Sequence, residues 1–251
     1  MKRSLAAMVC FIAAASLILV VTASAKAESQ NFDPNMTLTV DRTAPGTYGP
    51  TTFQGVDVYQ EGYGSGPTGT FYCYQGMGAS LSWSSPTVQT YTVGMYVPAS
   101  WTQQNVNAGV WFTCNDLATN STYDGNNSSI LAYISGTSAT AGAGFYNYND
   151  TAGWQLVASS IGTDQWHTLT FQFDQTTQIM SYSVDGSLVG TQTAAAFGAR
   201  GEIYGMSCLI LDCKNYGTDD PYTVNYSAPE PATLSLLVIG GLAALRRKNN
   251  K

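Results

Sequence analysis

Apolar and polar residues alternate with a period of two through much of the chain between Ser29 and Tyr226. No window in this stretch keeps apolar residues at helical spacing for three turns, whereas a period of two is that of a β-strand. Six segments carry their apolar residues on one face: Tyr91, Val93, Met95 and Val97; Val110, Phe112 and Cys114; Leu169, Phe171 and Phe173; Met180, Tyr182 and Val184; Tyr204, Met206, Cys208 and Ile210; and Tyr222, Val224 and Tyr226. The pattern predicts short strands with one buried face each.

Turn signals between these segments predict antiparallel hairpins. Asp185 and Gly186 stand between Val184 and Leu188 and fit a type I′ turn, whose two central residues need positive φ. A looser turn over 174–178 completes a three-stranded meander from Trp166 to Gly190. Many short strands with one polar face indicate two sheets packed face to face. We predict an all-β fold, a single antiparallel β-sandwich domain over residues 29–227.

The predicted sandwich is strongly acidic. The chain is 44% hydrophobic and 10% charged, which is typical of a packed domain and not of a disordered one. Residues 27–228 contain Arg42, Arg200 and Lys214 as their 3 basic residues against 15 acidic ones, which leaves a net charge of −12. Phosphate backbones and anionic lipid repel such a surface, which excludes a nucleic-acid partner.

The N-terminus has the pattern of an export signal. Lys2 and Arg3 precede an apolar run from Leu5 to Val21, and small residues follow, with Ala23 and Ala25 at the cleavage pattern. We therefore expect a signal peptide over residues 1–25, helical in the membrane and removed by signal peptidase. A permanent membrane helix is the alternative.

The C-terminus combines a short motif, an apolar segment and a basic tail. Pro229, Glu230 and Pro231 precede an apolar stretch over 232–245, which ends at Arg246 and Arg247. A helix of this length measures about 21 Å, less than the roughly 30 Å of bilayer hydrocarbon. The segment therefore suits a transient membrane helix, held with its basic end inside the cell.

This three-part ending resembles the PEP-CTERM sorting signal of Gram-negative envelope and biofilm bacteria. The resemblance covers residues 229–251 and implies recognition by an exosortase, with removal of the tail near Pro229 to Pro231. It also implies delivery to the cell surface or extracellular matrix, with membrane contact through the end segments alone. A simple tail anchor is the alternative.

A second resemblance lies within the meander. The sequence 166–171 (WHTLTF), followed by 182–190 (YSVDGSLVG), resembles the core hairpin of laminin G-like domains, which are concanavalin A-like jelly rolls. The resemblance implies a jelly-roll arrangement of the sandwich. It also leaves calcium open as a cofactor, because such domains bind it through loop carboxylates and carbonyls. The loop acids considered are Asp116, Asp124, Asp212, Asp219 and Asp220, although none forms a regular Asp-x-Asp-x-Asp loop and solvated turns explain them equally.

Catalytic groups are scarce in the predicted sandwich. A retaining glycosidase needs two carboxyl groups about 5 Å apart, and only Glu61 and Glu202 are glutamates well inside the domain, each alone in its segment. The single histidine, His167, shares its strand face with Leu169 and Phe171, so we expect a buried ring that is hydrogen-bonded near the sandwich rim. We predict a protein that is not an enzyme, with a glycan hydrolase as the less favoured alternative.

Four cysteines remain after removal of the signal: Cys73, Cys114, Cys208 and Cys213. Export favours disulfides over zinc, and three pairings are open. Cys208 and Cys213 can pair only if the chain turns near Asp212, since a straight strand would separate their Cα atoms by about 16 Å. Alternation places Cys114 and Cys208 inward, so buried thiols are the other interpretation.

Aromatic residues beside polar ones suggest a ligand platform. The residues proposed to bind are Trp111, Tyr146, Tyr148, Asn149 and Trp154. Flat aromatic rings next to amides suit sugars, which have apolar faces and polar edges. Ordinary cross-strand packing of aromatic residues is the alternative. The sequence thus predicts an exported protein of the cell envelope or matrix that binds an exopolysaccharide or other envelope glycan, or else a spacer without a ligand.

Overall fold

The computed structural model describes residues 26–64, 74–84, 86–116, 128–198, 202–214 and 221–229. The strands of this part are β1 (Ala27–Asn31), β2 (Thr39–Arg42), β3 (Thr47–Phe53), β4 (Val56–Tyr63), β5 (Tyr74–Ser80), β6 (Val88–Val97), β7 (Asn107–Asp116), β8 (Ser128–Ile134), β9 (Gly144–Asn149), β10 (Gly153–Ser159), β11 (Gln165–Asp174), β12 (Ile179–Val184), β13 (Ser187–Thr193), β14 (Ile203–Lys214) and β15 (Tyr222–Ser227). Short 3₁₀ turns cover Ala99–Gln103, Gly136–Ser138 and Ala194–Phe197. The described residues contain no α-helix.

These strands form two sheets. The first sheet has the order β13-β12-β11-β6-β15-β4-β3, and β1 pairs with β6 beside this path. The second sheet has the order β10-β9-β8-β7-β14-β5-β2. Strand pairing is antiparallel throughout except between β1 and β6, which run parallel. The predicted antiparallel β-sandwich is therefore confirmed, with a parallel strand at β1 that the sequence pattern did not indicate.

Inward-facing side chains from both sheets form one core. Five of the six predicted apolar faces are buried there, on β6, β7, β11, β12 and β15. Rings from opposite sheets meet in it: the ring centroid of Phe112 on β7 lies 4.7 Å from that of Phe171 on β11 and 5.2 Å from that of Tyr91 on β6. Aromatic contacts of this kind add to the free energy gained from burial alone.

The sixth predicted face, on β14, is wrong except at Met206. Met206 faces the core, but Tyr204 is 51% exposed, and the pairing of β14 with β7 shifts both before Met206 and between Met206 and Cys208. A β-bulge adds one residue to its strand and so reverses the alternation beyond it. Leu209 and Leu211 consequently point inward, whereas Cys208 and Ile210 join the opposite face.

The predicted meander is confirmed in strand order and turn. Leu169 pairs with Val184, and the turn residues Asp185 and Gly186 have φ values of 51° and 76°. The buried His167 is fixed to this turn: its Nδ1 lies 2.7 Å from Asp185 Oδ2, and its Nε2–H donates to Gly162 O at 2.8 Å. The expectation of a buried, hydrogen-bonded histidine thus agrees with the structure.

The two chain ends proposed as processing signals lie outside the described residues, apart from Pro229. Ala23, Ala25, Glu230, Pro231, Arg246 and Arg247 belong to those undescribed ends. Within the described ranges, no helix is long and apolar enough to cross a membrane.

Close approach of neighbouring strands requires a glycine at position 109. A Cβ there would lie 2.5 Å from Ala132 Cα and 2.5 Å from Leu131 O, both on the adjacent strand β8. We expect Gly109→Ala to lower the free energy of unfolding by about 1–3 kcal/mol, because neighbouring backbone must shift. Gly64→Ala is the matched control, since a Cβ at Gly64 meets nothing within 4 Å. Urea denaturation measures both, and equal stabilities would contradict the assigned packing.

Candidate functional site

The outer face of the second sheet carries a cluster of aromatic and aliphatic side chains, which we call the aromatic face. Its members are Trp111, Ile130, Ala132, Ile134, Tyr146 and Ile210, with Tyr148, Trp154, Leu156 and Cys208 packed against them. Strand register brings them together, because Trp111 on β7 lies opposite both Ile130 and Ile210. Four of the five predicted binding residues therefore share one face, although three separate strands supply them.

Tyr148 and Trp154 are the half-buried aromatic residues of this face. They lie opposite each other on β9 and β10, and their rings pack edge to face with centroids 5.3 Å apart. Each of the two rings keeps part of its surface open to a ligand. Their ring planes are inclined at 69°, so the pair forms an angled aromatic surface at the edge of the face.

Trp111 and Tyr146 are less accessible than the sequence suggests. Trp111 is 6% exposed and Tyr146 is fully buried. The Tyr146 hydroxyl donates to Gly142 O at 2.5 Å and accepts from the Ala141 N–H at 3.1 Å, so the preceding loop covers it. Trp111 and Tyr146 are therefore the buried part of the aromatic face. Tyr148 and Trp154 are its more accessible aromatic residues.

Asn149 shapes the turn that follows β9. Its Oδ1 accepts the backbone N–H groups of Thr151 at 3.0 Å and Ala152 at 2.9 Å. Such a side-chain turn is an ordinary use of asparagine between two strands. Asn149 therefore sets the hairpin that holds Trp154 against Tyr148, and its oxygen is already engaged.

A shallow depression of about 360 Å³ lies further along the same sheet face. Its lining includes Thr39, Asp41, Gly78, Cys208 and Ile210. Alternate glycines at 76 and 78 leave this stretch of β5 without side chains on its outer face, and their spacing in the sequence is a signal for this depression. Burial, together with the nearby Asp41 charge, raises the pKa of Cys208 to about 11, so its thiol stays protonated at neutral pH.

The two glutamates considered for a glycosidase pair do not converge. Glu61 on β4 points into the core and is close enough to Asp212 for their charges to interact. Glu202 lies ten residues before Asp212, at the start of the extended β14, so the strand alone separates them by about 33 Å. Glu61 and Glu202 are thus far beyond the separation that paired glycosidase carboxylates require.

Glu61 instead belongs to a buried polar cluster between the sheets. The Tyr63 hydroxyl donates to Glu61 Oε2, and Oε1 has no hydrogen-bond partner among the described residues. Burial raises the pKa of Glu61 well above its ordinary value, the Tyr63 bond opposes this shift, and Asp212 adds to it. Burial therefore keeps the carboxyl group protonated and neutral to higher pH than in an exposed glutamate.

The cysteines divide between the two faces of the second sheet. Cys114 and Cys213 lie in the core, whereas Cys208 lies on the aromatic face, which corrects its predicted inward position. No disulfide joins these three described cysteines, and Cys73 lies outside the described residues. Burial raises the pKa of Cys114 to about 12 and that of Cys213 well above its ordinary value.

Of the loop acids considered for calcium, Asp212 proves not to lie in a loop. It sits within β14, which continues to Lys214, and it is 1% exposed. Asp116 ends β7, and Asp124, Asp219 and Asp220 fall outside the described residues. No group of three or more His, Cys, Asp or Glu residues suited to a metal occurs in the part of the chain described.

No family model matches this chain, and no curated protein matches its sequence. Solved structures similar to it include an endo-β-1,4-glucuronan lyase from the fungus Trichoderma reesei, with 15% identity and a TM-score of 0.48 over 76% of this chain and 88% of that one. An alginate lyase from Chlorella virus gives 10% identity and a TM-score of 0.47, covering 76% and 89%. A carbohydrate binding module from Bacillus subtilis gives 13% identity and a TM-score of 0.42, covering 80% and 96%. The chain's own strand pairing establishes its fold, and these distant likenesses assign no site.

Glu61 makes the stability of the sandwich depend on pH. Because its pKa is raised in the folded state, its contribution is complete below the ordinary value of 4.5 and is lost as pH rises through the folded pKa. We expect Glu61→Gln to abolish this loss, so that its stability relative to the unsubstituted chain increases between about pH 5 and about pH 8. Urea denaturation across that range measures the difference, and a pH-independent difference would contradict the assignment.

Proposed function

We propose that this chain is an exported, non-enzymatic protein that binds carbohydrate through a laminin G-like, concanavalin A-like sandwich. The observation that carries the proposal is the half-buried pair of Tyr148 and Trp154 at the rim of the aromatic face. A rigid aromatic pair loses little conformational entropy on binding and matches the apolar face of a sugar ring.

Neighbouring residues hold Tyr148 and Trp154 in position in the absence of a ligand. The Asn149 turn fixes the β9–β10 hairpin, and Trp111 and Tyr146 fill the sheet face beneath. Preorganisation of this kind increases affinity because the binding groups need no reordering. The proposed ligand is an exopolysaccharide or another envelope glycan, and its binding requires no cofactor.

The absence of catalysis is part of the proposal. The separation of Glu61 from Glu202 counts against a two-carboxylate mechanism. Both ring nitrogens of His167 already face acceptors at hydrogen-bonding distance, Asp185 and Gly162. A histidine held in this way does not reach a nucleophile as a general base must.

Export and surface delivery complete the proposal. Signal peptidase would remove residues 1–25, and an exosortase would process the PEP-CTERM ending over residues 229–251. The mature protein would then act at the surface or in the matrix of a Gram-negative-type bacterium. Membrane contact would be confined to the two end segments.

Removal of the Trp154 ring tests the proposed binding surface. We expect Trp154→Ala to weaken glycan binding about tenfold, because the stacking partner is lost. The measurement is a pull-down of the full chain with insoluble polysaccharides, followed by titration of those that bind. Tyr48→Ala is the control, since Tyr48 is 51% exposed on β3 of the other sheet. Equal losses in the two variants would contradict the proposed site.

A spacer without a ligand is the second candidate. The burial of Trp111 and Tyr146 favours it, because both rings serve packing. The same pull-down separates the candidates: if the unsubstituted chain retains no polysaccharide, the sandwich is a structural element and the binding proposal fails.

Processing of the C-terminus has its own test. A chain with an epitope tag after Lys251 should lose that tag in a host that makes an exosortase, and retain it in one that does not. Replacing Arg246, Arg247, Lys248 and Lys251 by alanine should preserve the tag in both hosts, because the basic end that positions the segment is gone. Immunoblots and mass spectrometry of envelope fractions measure this, and a tagged mature chain at the surface would contradict exosortase processing.

A further inference from the structure

A second depression, of about 460 Å³, lies at one end of the sandwich. Three separate segments build it: the connection from β5 to β6, the turn from β11 to β12, and the start of β14 near its bulge. Trp83, Gln175 and Tyr204 each come from a different one of these segments. We call this depression the end site. None of the described residues that line the end site belongs to the aromatic face.

Hydrogen bonds fix the walls of the end site. The indole N–H of Trp83 donates to Met206 O at 2.6 Å, and the Leu81 N–H donates to Ser207 O at 2.8 Å. On the third wall, the Gln175 N–H donates to Thr87 O at 2.8 Å. The depression is therefore a rigid feature of the fold, in which the ring of Trp83 is held at a set angle.

Polar donors point into the end site. Gln89 is 5% exposed, and its Oε1 accepts the Met206 N–H at 2.8 Å. Its Nε2 is directed toward Gly205, where a Cβ would overlap the amide nitrogen. The absent side chain at 205 thus leaves room for the nearly buried Gln89 amide, and both Gln89 and Gln175 line the depression.

The residues that line the end site favour one chemical class of ligand. Tyr204 is 51% exposed and shares the end site with the half-buried Trp83, so two aromatic rings accompany the amide groups. The ten lining residues that the structure describes are uncharged. None of these described residues can pair with a carboxylate or sulfate as a cation does, and the acidic sandwich repels anionic polymers. Neutral sugar rings, with apolar faces and hydroxyl edges, match this combination.

We propose that the end site is a second carbohydrate site, selective for neutral polysaccharide. Tyr204 lies six residues from Ile210 along β14, a distance of about 20 Å, and Trp154 lies four strands from Ile210, about 19 Å at right angles to that direction. One sugar unit cannot occupy both places. Separate polymer strands can therefore occupy the two sites at the same time, and we expect the chain to cross-link them. This inference extends the proposed function, since it shares its class of ligand, but it rests on different residues.

Affinity electrophoresis of the full chain through gels containing a neutral β-glucan tests the proposal, with alginate gels as the anionic comparison. We expect retardation by the β-glucan and not by alginate. Tyr204→Ala should weaken binding about tenfold. Gln175→Ala should weaken it less, through loss of one hydrogen-bonding group. Tyr48→Ala is the matched control, because Tyr48 has the same exposure as Tyr204, 51%.

The variants separate this proposal from the binding surface at Trp154. If Tyr204→Ala and Gln175→Ala bind like the unsubstituted chain while Trp154→Ala is weakened, the end site is overturned and the first site stands. If Tyr204→Ala is weakened and Trp154→Ala is not, the end site stands and the first site fails. Absence of any retardation, or preference for alginate, contradicts the end site directly.

Cross-linking provides a second readout. Mixing the unsubstituted chain with dissolved β-glucan should increase light scattering, because two sites connect separate polymer strands. Tyr204→Ala and Trp154→Ala should each still bind glucan but lose the increase in scattering. Scattering that persists in the Tyr204→Ala variant would overturn the proposed bivalence.

Discussion

Packing of aromatic rings between the two sheets is the constraint on which the rest of this structure depends. Phe112 from the second sheet contacts Phe171 and Tyr91 from the first, and this contact requires the facing residues of both sheets to be apolar. Because a strand alternates its side chains, every residue between two core positions must then point outward. Trp111 lies on the outer face because its neighbours Val110 and Phe112 both point into the core.

Polar groups inside the core fix how the sheets face each other. The hydroxyls of Tyr222 and Tyr226 on β15 donate across the sandwich to Asn107 O at 3.2 Å and Gly109 O at 3.1 Å on β7. A buried hydroxyl without an acceptor is costly, so these bonds disfavour any sliding of one sheet over the other. Glu61 and its bond to Tyr63 belong to the same buried region.

Both proposed sugar sites lie outside the core but depend on it for their geometry. The pair of Tyr148 and Trp154 rests on side chains of the second sheet, and the end site uses Trp83, which packs against the margin of the core. An uncharged, aromatic binding surface on a strongly acidic body favours neutral polymers, since repulsion acts on anionic ones at longer range. Two such sites on one rigid body would suit a matrix protein that joins polysaccharide chains.

Local chemistry in the sequence indicated five of the strand faces, the meander and the Asp185–Gly186 turn, because alternation and turn preferences depend only on residues near one another in the chain. It also indicated four residues of the aromatic face, since they are aromatic residues close to polar ones in the sequence. Tertiary structure alone decided the outward position of Cys208, because a bulge follows from pairing with β7 and has no local signature. The end site could not be predicted from the sequence either. Trp83 and Tyr204 are far apart in the chain, and only the strand order of the two sheets brings them together.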